Sequence, residues 1–363
     1  MTRGVARSVL AGIGCATPAT QMNRAESVDV AASIAPPDVP RDLLERIAEG
    51  TKIERRGCAL VRPETMAALA DPQNAARGPG TSERVEEWCR AGRPLAASSA
   101  RAALHDAGVA PERVTHVVTA SCTGFRAPGP DQWLIWDLGL RPTVRRTNLG
   151  FMGCHAAINA LAVADAFVRA DPQACVLVNA LEISTAHMHY GNRLDRLIAN
   201  ALFADGSSSA VVMGTGPAGA PRIALSGATL MPDSTEEMGW AIGNNGFEMK
   251  LAPSVPGHLR REVGPWICAW LEQGGLTPAQ VGGWAIHPGG PKIVEAIADT
   301  LQLPPEATEH SCGVLRDHGN MSSATVLFVI HRLRSAGVPL PWAAMSFGPG
   351  LAGEALLLAG AEA

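Results

Sequence analysis

The 363-residue sequence has no cysteine pair in a CxxC spacing, and its eight cysteines fall far short of the density of a secreted disulfide scaffold. They read as free thiols of a reducing cytoplasm, which is the expected location. No apolar run approaches the ~20 residues needed to span a bilayer, so no membrane partner is expected. The formal charge of −4 comes from 30 basic and 34 acidic residues spread along the chain, which leaves no field for nucleic acid and no polybasic patch. There is no GxxxxGK[ST], no convincing GxGxxG after a strand and no HExxH. No cofactor and no metal are expected.

What is present is an alternation. Strand-like runs at 114 to 122 and 174 to 184 flank the helical pattern AAINALAVADAFVRA at 156 to 170, and the order strand, helix, strand indicates an α/β fold. The opening MTRGVARSVLAGIGCATPA superficially resembles a signal peptide. Glycines and a cysteine interrupt its apolar part, and SVLAGIGCATP reads as a first strand and its turn. The helix-breaking stretch GTGPAGAPR at 214 to 222 divides the chain, giving halves 1–218 and 219–363.

The halves repeat a unit. In the first, a strand ends at ASCTGFRAPGP and a Gly-led turn opens a helix at GCHAAINAL; in the second, WAIHPGGP is followed by GNMSSATVL. Cys122 to Cys154 spans 32 residues and His287 to Asn320 spans 33. A pseudo-twofold relating the halves gathers these four residues around one centre.

Each has a plain structural alternative: a packed thiol for Cys154, a small buried residue for Cys122, a satisfied imidazole for His287 and an N-cap for Asn320. Cys154 stands where an extended segment becomes a helix, and the helix dipole there predicts a lowered thiol pKa. Gly153 beside it leaves room for a substrate. A thiolate paired with imidazolium is an activated nucleophile, and a thioester is its natural partner. The imidazole Nε2–H and the asparagine amide then suit the enolate formed when a malonyl thioester loses CO₂.

GCHAA around Cys154, HPGGP at 287 to 291, GNMSSA at 320 to 325 and FGPG at 347 to 350, in this order, resemble the type III polyketide synthases, the chalcone synthase-like branch of the thiolase superfamily. The resemblance implies a thiolase-like αβαβα five-layered fold of two pseudo-duplicated halves and a homodimer. It also implies an acyltransferase of secondary metabolism that condenses malonyl-CoA iteratively onto an acyl-CoA starter. It assigns the nucleophile to Cys154 and the decarboxylation pair to His287 and Asn320. ALFADG gives one gatekeeper phenylalanine, Phe203, and NGFEMK the other, Phe247. Aromatic faces there would exclude water and help desolvate the malonyl carboxylate. Ser322, Cys122, Ser184 and His187 match cavity-lining positions.

The sequence departs from the pattern in two places. Of the basic cluster for CoA phosphates only Arg46 is present, with Leu43 and Gly50 at positions usually basic. Lys292 could compensate, with Lys52, Arg55 and Arg56 nearby, and a carrier-protein thioester is the alternative carrier. The segment STAHMHYGNRLDRL is two residues shorter than in the plant enzymes and holds one aromatic residue, Tyr190, which favours an aliphatic or malonyl-derived starter. Three other readings stand beside this one: a β-ketoacyl-carrier-protein synthase III with a single condensation, a Cys-His-Asn thioester hydrolase, and a non-catalytic interaction protein of the thiolase fold.

Overall fold

A computed structural model describes residues 8–60 and 78–360. Its first half holds β1 (Val9–Ala16), β4 (His116–Ser121), β5 (Arg145–Gly150), β6 (Cys175–Ile183) and β7 (Asp205–Met213), with the short pair β2 (Gln21–Asn23) and β3 (Arg55–Gly57) apart from them. The second half holds β8 (Arg222–Leu230), β11 (Gly283–Ile286), β12 (Trp342–Gly348) and β13 (Ala352–Ala359), plus a separate hairpin of β9 (Met238–Gly243) and β10 (Gly246–Leu251).

Nine strands join in the order β11-β12-β13-β8-β1-β7-β6-β4-β5, but the seam between β8 and β1 is a single residue pair, Val9 with Arg222. On either side of that seam the ladders match. β1–β7 and β7–β6 are antiparallel and β6–β4 is parallel; likewise β8–β13 and β13–β12 are antiparallel and β12–β11 is parallel. The expected duplication is therefore a topological one. The first half has one strand more, β5, whose outer edge has no neighbouring strand among the described residues.

The middle of the molecule is set by two helices, α5 (Ala156–Ala170) and α10 (Thr325–Ser335), which share one core with residues of both half-sheets. Alanine recurs along α5, a strong helix former whose small side chain lets the helix lie between two sheets. On the outer face of the first half-sheet lie α3 (Thr81–Asp106) and α4 (Pro130–Leu138); on that of the second lie α7 (Val255–Gln273) and α8 (Pro291–Leu301). The result is five layers, α, β, α, β, α. β6 is buried at all nine positions, as a strand covered on both faces must be.

A smaller cluster of α1 (Arg24–Ile34), α2 (Arg41–Gly50) and α6 (Leu194–Leu202) packs through Val28, Leu44, Ala48 and Leu197. α9 (Pro305–His318) covers β11, where the Ser311 hydroxyl accepts from Ile286 N–H at 3.1 Å. No helix among the described residues is long and apolar enough to cross a membrane.

One element differs from the sequence reading. Asn320 does not cap a helix: α10 starts at Thr325, after a 3₁₀ turn over Ser322–Ala324. Asn320 forms a parallel bridge with Phe203 instead, its N–H donating to Leu202 O at 3.0 Å and its carbonyl accepting from Ala204 N–H at 2.8 Å. The left-handed φ of +46° at Ser322 stops the helix from extending back to it.

Candidate active site

The approach to Cys154 is strained. Phe151 has φ +58° and Gly153 φ +83°, conformations that re-aim the chain between β5 and α5. A Cβ on Gly153 would lie 2.3 Å from Cδ of Pro349, so the glycine admits the proline of FGPG, and it also borders the cavity at Cys154. The Gly153 N–H donates to the Cys122 sulfur at 3.0 Å, and the Cys154 carbonyl accepts from the Ser346 hydroxyl on β12 at 2.8 Å. Both halves thus grip the turn that carries Cys154.

The remaining polar groups follow by contact. Cys154 Sγ lies 3.6 Å from the Ser322 hydroxyl; Ser322 N–H donates to Asn320 Oδ1 at 2.9 Å, and Asn320 Nδ2 donates to Gly289 O at 3.1 Å. A Cβ on Gly289 would stand 3.7 Å from His287 Nε2. His287 is anchored through its backbone N–H to Met345 O at 2.8 Å, while neither ring nitrogen has a hydrogen-bond partner among the described residues. The fold brings Cys154, His287 and Asn320 into one connected cluster, with Cys122 and Ser322 in it.

The electrostatics reverse one expectation. Burial pushes the Cys154 thiol up to about 12, although the Ser322 hydroxyl favours its thiolate. Desolvation outweighs the helix dipole because the sulfur is enclosed by both halves. Burial likewise pulls His287 down to about 3, with the positive form further disfavoured by His155. Burial thus disfavours both charged forms, the Cys154 thiolate and the His287 imidazolium.

Beneath the cluster lies Glu182, at the end of β6 and wholly buried. Its carboxylate accepts from Thr123 Oγ1 at 2.7 Å, from Cys122 N–H at 3.0 Å and from the Ser323 hydroxyl of the second half. Burial raises its pKa, and the hydrogen bonds oppose the shift. A charged side chain closing the apolar run CVLVNALEI was the signal in the sequence that could have found it.

Cys154 opens onto a cavity of about 30 Å³ bordered by Cys122, Ser184, Phe203, Trp240, Met249 and Ser322. Four of these, Cys122, Ser184, Phe203 and Ser322, were read from the sequence; Trp240 and Met249 were not. The other two anticipated pocket residues stand behind this wall. His187 Nε2 donates to Thr123 O at 2.6 Å and its Nδ1 accepts from Phe247 N–H at 3.0 Å; the two rings stack 4.1 Å apart at 9°. Phe247 is 1% exposed, and His187 borders a neighbouring cavity of about 20 Å³ together with Ser184, Phe203 and Trp240. With both nitrogens committed, His187 braces the wall and has no free polar atom to offer a ligand.

The basic residues lie apart from both cavities. Arg46 is exposed on α2 and pairs with Asp42 at 2.6 Å; Lys292 is exposed at the start of α8. Arg56 is withdrawn from the candidate phosphate ligands. Its guanidinium is buried and donates to Asn200 O at 2.6 Å and to Phe203 O, fixing the end of α6.

Comparison with known proteins adds to this geometry. Residues 1–217 match the sequence model for chalcone and stilbene synthases, N-terminal domain, and residues 222–361 that for their C-terminal domain. The chain is 29% identical to the alpha-pyrone synthesis polyketide synthase-like Pks18 of Mycobacterium tuberculosis, over 96% of this chain and 90% of that protein. It is 31% identical to the 1,3,6,8-tetrahydroxynaphthalene synthase of Streptomyces peucetius subsp. caesius, over 89% and 85% respectively. The crystal structure of PKS-I from the brown alga Ectocarpus siliculosus superposes with a TM-score of 0.90 at 30% identity, covering 98% of each chain.

Proposed function

The chain belongs to the chalcone and stilbene synthase family, and on that footing we propose that Cys154, His287 and Asn320 carry the condensation chemistry of a type III polyketide synthase. The enzyme loads an acyl starter and extends it by decarboxylative Claisen condensation with malonyl-CoA, iteratively. The Cys154 sulfur attacks the starter thioester as its proton passes to His287, and CoA leaves as the thiol. Because the resting thiol is neutral, proton transfer accompanies attack. Malonyl-CoA then loses CO₂, and the enolate oxygen accepts from the Nε2–H of neutral His287 and from the Asn320 amide N–H not used by Gly289. The enolate carbon attacks the acyl group on Cys154, which releases the sulfur and leaves a β-ketoacyl-CoA for the next round.

The observation that carries this reading is His287: a buried imidazole, held neutral, with both ring nitrogens unpartnered among the described residues and joined to Asn320 through Gly289. Such a group is costly unless a ligand completes it. Cys154→Ala is expected to abolish covalent starter loading, seen as loss of the added mass on the intact protein, while malonyl-CoA decarboxylation survives in part. Acylation persisting at Cys122 would overturn the assignment.

The wider setting belongs to the same proposal. The acyl carrier is CoA, with Arg46 and Lys292 as phosphate contacts, and a carrier-protein requirement would replace that reading with the synthase III alternative. The enzyme works in the cytoplasm, and the boundary between its halves falls at 218/219. It is a homodimer through the outer edge of β5, which no described strand pairs and beside which Phe125 and Met152 are exposed.

A further inference from the structure

We infer that the indole of Trp240 is a fixed partition that limits the acyl chain, so that the enzyme selects short aliphatic starters. The inference rests on the polyketide reading above and names the substrate class of that same site. Two small cavities, of about 30 and about 20 Å³, have Ser184, Phe203 and Trp240 as their common border. Only the first also touches Cys154; the second runs on to His187, His189 and Asn200. Without the shared wall they form one chamber leading away from the nucleophile.

The three wall residues differ in what holds them. Phe203 is set by its backbone, whose N–H donates to Ala199 O at 3.0 Å and whose carbonyl accepts from Arg56. Ser184 is small, and its buried hydroxyl has no partner among the described residues, as suits a group that meets a polar atom of a bound chain. Trp240 supplies the bulk. Its Nε1–H donates to Cys122 O at 2.6 Å, and its ring stands edge-on to Phe247 at 6.1 Å and to His187 at 6.0 Å. The hairpin that carries it is pinned at its tip, where Thr81 N–H donates to Asn244 O at 3.0 Å and Gly246 N–H to the Thr81 hydroxyl at 2.9 Å. A ring with a polar pin, two aromatic neighbours and an anchored backbone does not swing aside for a ligand.

Size then fixes the class. A short acyl group on Cys154 stays within the first cavity, and an extended six-carbon starter reaches past it. A longer starter has to enter the second cavity, through the space the indole fills.

The test uses the full-length protein with acetyl-, hexanoyl- and dodecanoyl-CoA. The rate of mass addition at Cys154 is followed first, and products with malonyl-CoA second. The wild type is expected to load acetyl at least fivefold faster than hexanoyl and not to load dodecanoyl. Trp240→Ala is expected to shift the hexanoyl-to-acetyl ratio at least fivefold toward hexanoyl and to lengthen the products. Trp240→Phe, which keeps a ring and drops the N–H bond, should shift the ratio less. Dodecanoyl loading on the wild type at the acetyl rate would overturn the inference whether or not the variants fold. So would a smaller shift in a Trp240→Ala protein that melts cooperatively. No loading of the wild type by any chain would overturn the polyketide reading itself, and this inference with it.

Discussion

Each half of the molecule sends one side chain from its central strand across to the other half, and the two ties are chemically unlike. In the first, Glu182 at the end of β6 accepts from Ser323, in the turn that follows Asn320. In the second, Ser346 on β12 donates to the carbonyl of Cys154. The topology places them alike, since β6 pairs with the strand leading to Cys122 and β12 with the strand leading to His287. The difference lies in load. Glu182 also gathers Thr123 and the Cys122 N–H, so one carboxylate sets both the floor of the cavity and the relation of the halves, whereas Ser346 makes one neutral bond. The half that carries Cys154 is held by an ionisable hub, and the half that carries His287 and Asn320 is held by backbone: Asn320 by its bridge to Phe203, His287 by its bond to Met345.

That division of labour can be broken. Asn320→Ala removes a donor from the second half without touching the first, and a decarboxylation rate lower by about 10²–10³, with starter loading retained, is expected. The rates are separated by CO₂ release from malonyl-CoA and by intact mass; loss of loading with intact decarboxylation would exchange the roles. Next in size are the ties themselves. Glu182→Ala removes the acceptor of the buried donors of Ser121, Cys122, Thr123 and Ser323, at a cost on the order of 1–3 kcal/mol for each stranded group, whereas Ser346→Ala strands one carbonyl and costs about 1–3 kcal/mol. Urea unfolding of both variants checks this ranking, and equal midpoints would show that the two ties bear equal load.

The smallest effect concerns what the halves share. His187 in the first and His287 in the second are both pulled down to about 3 by burial, and His189 to about 4. As pH falls from about 6.5 to 4, the unfolded chain takes up protons on these groups and the folded chain does not, so stability falls across that window. Asp205, raised to about 6 by burial, acts the opposite way, its folded state holding a proton that the unfolded state releases between about 4 and 6. Three histidines outweigh one aspartate, so the urea midpoint is expected to be lower at pH 5 than at pH 7. A midpoint that rises on acidification would contradict the neutral, buried state assigned to both halves.

Much of this was legible in advance because it is carried by local pattern. The helix over 156 to 170 was read to the residue, since its alanine content and its flanks agree. The match of Cys122 with His287, each just past a corresponding strand, followed from repeated spacing; that of Cys154 with Asn320 is looser, since Asn320 stands in a bridge to Phe203 and not at a helix start. Illegible were the relations that depend on what lies opposite. Nothing near Gly153 says that Pro349 will press against it, and nothing near Arg56 says that the end of α6 will bury it. Phe247 reads as a gatekeeper through the resemblance of NGFEMK and His187 as a pocket residue through its segment; that the two hydrogen-bond and stack on each other is visible only in the fold.

The sequence by itself determined the inventory of reacting groups, the order of strands and helices, and the twofold plan that brings a thiol, an imidazole and an amide toward one centre, because periodicity and spacing are properties of the chain. The tertiary structure alone decided the proton each group holds at rest and where the cavity ends. Desolvation of Cys154 and His287 needs both halves closed around them, and the indole of Trp240 becomes a wall only when its hairpin is pinned across a strand end more than a hundred residues away in sequence.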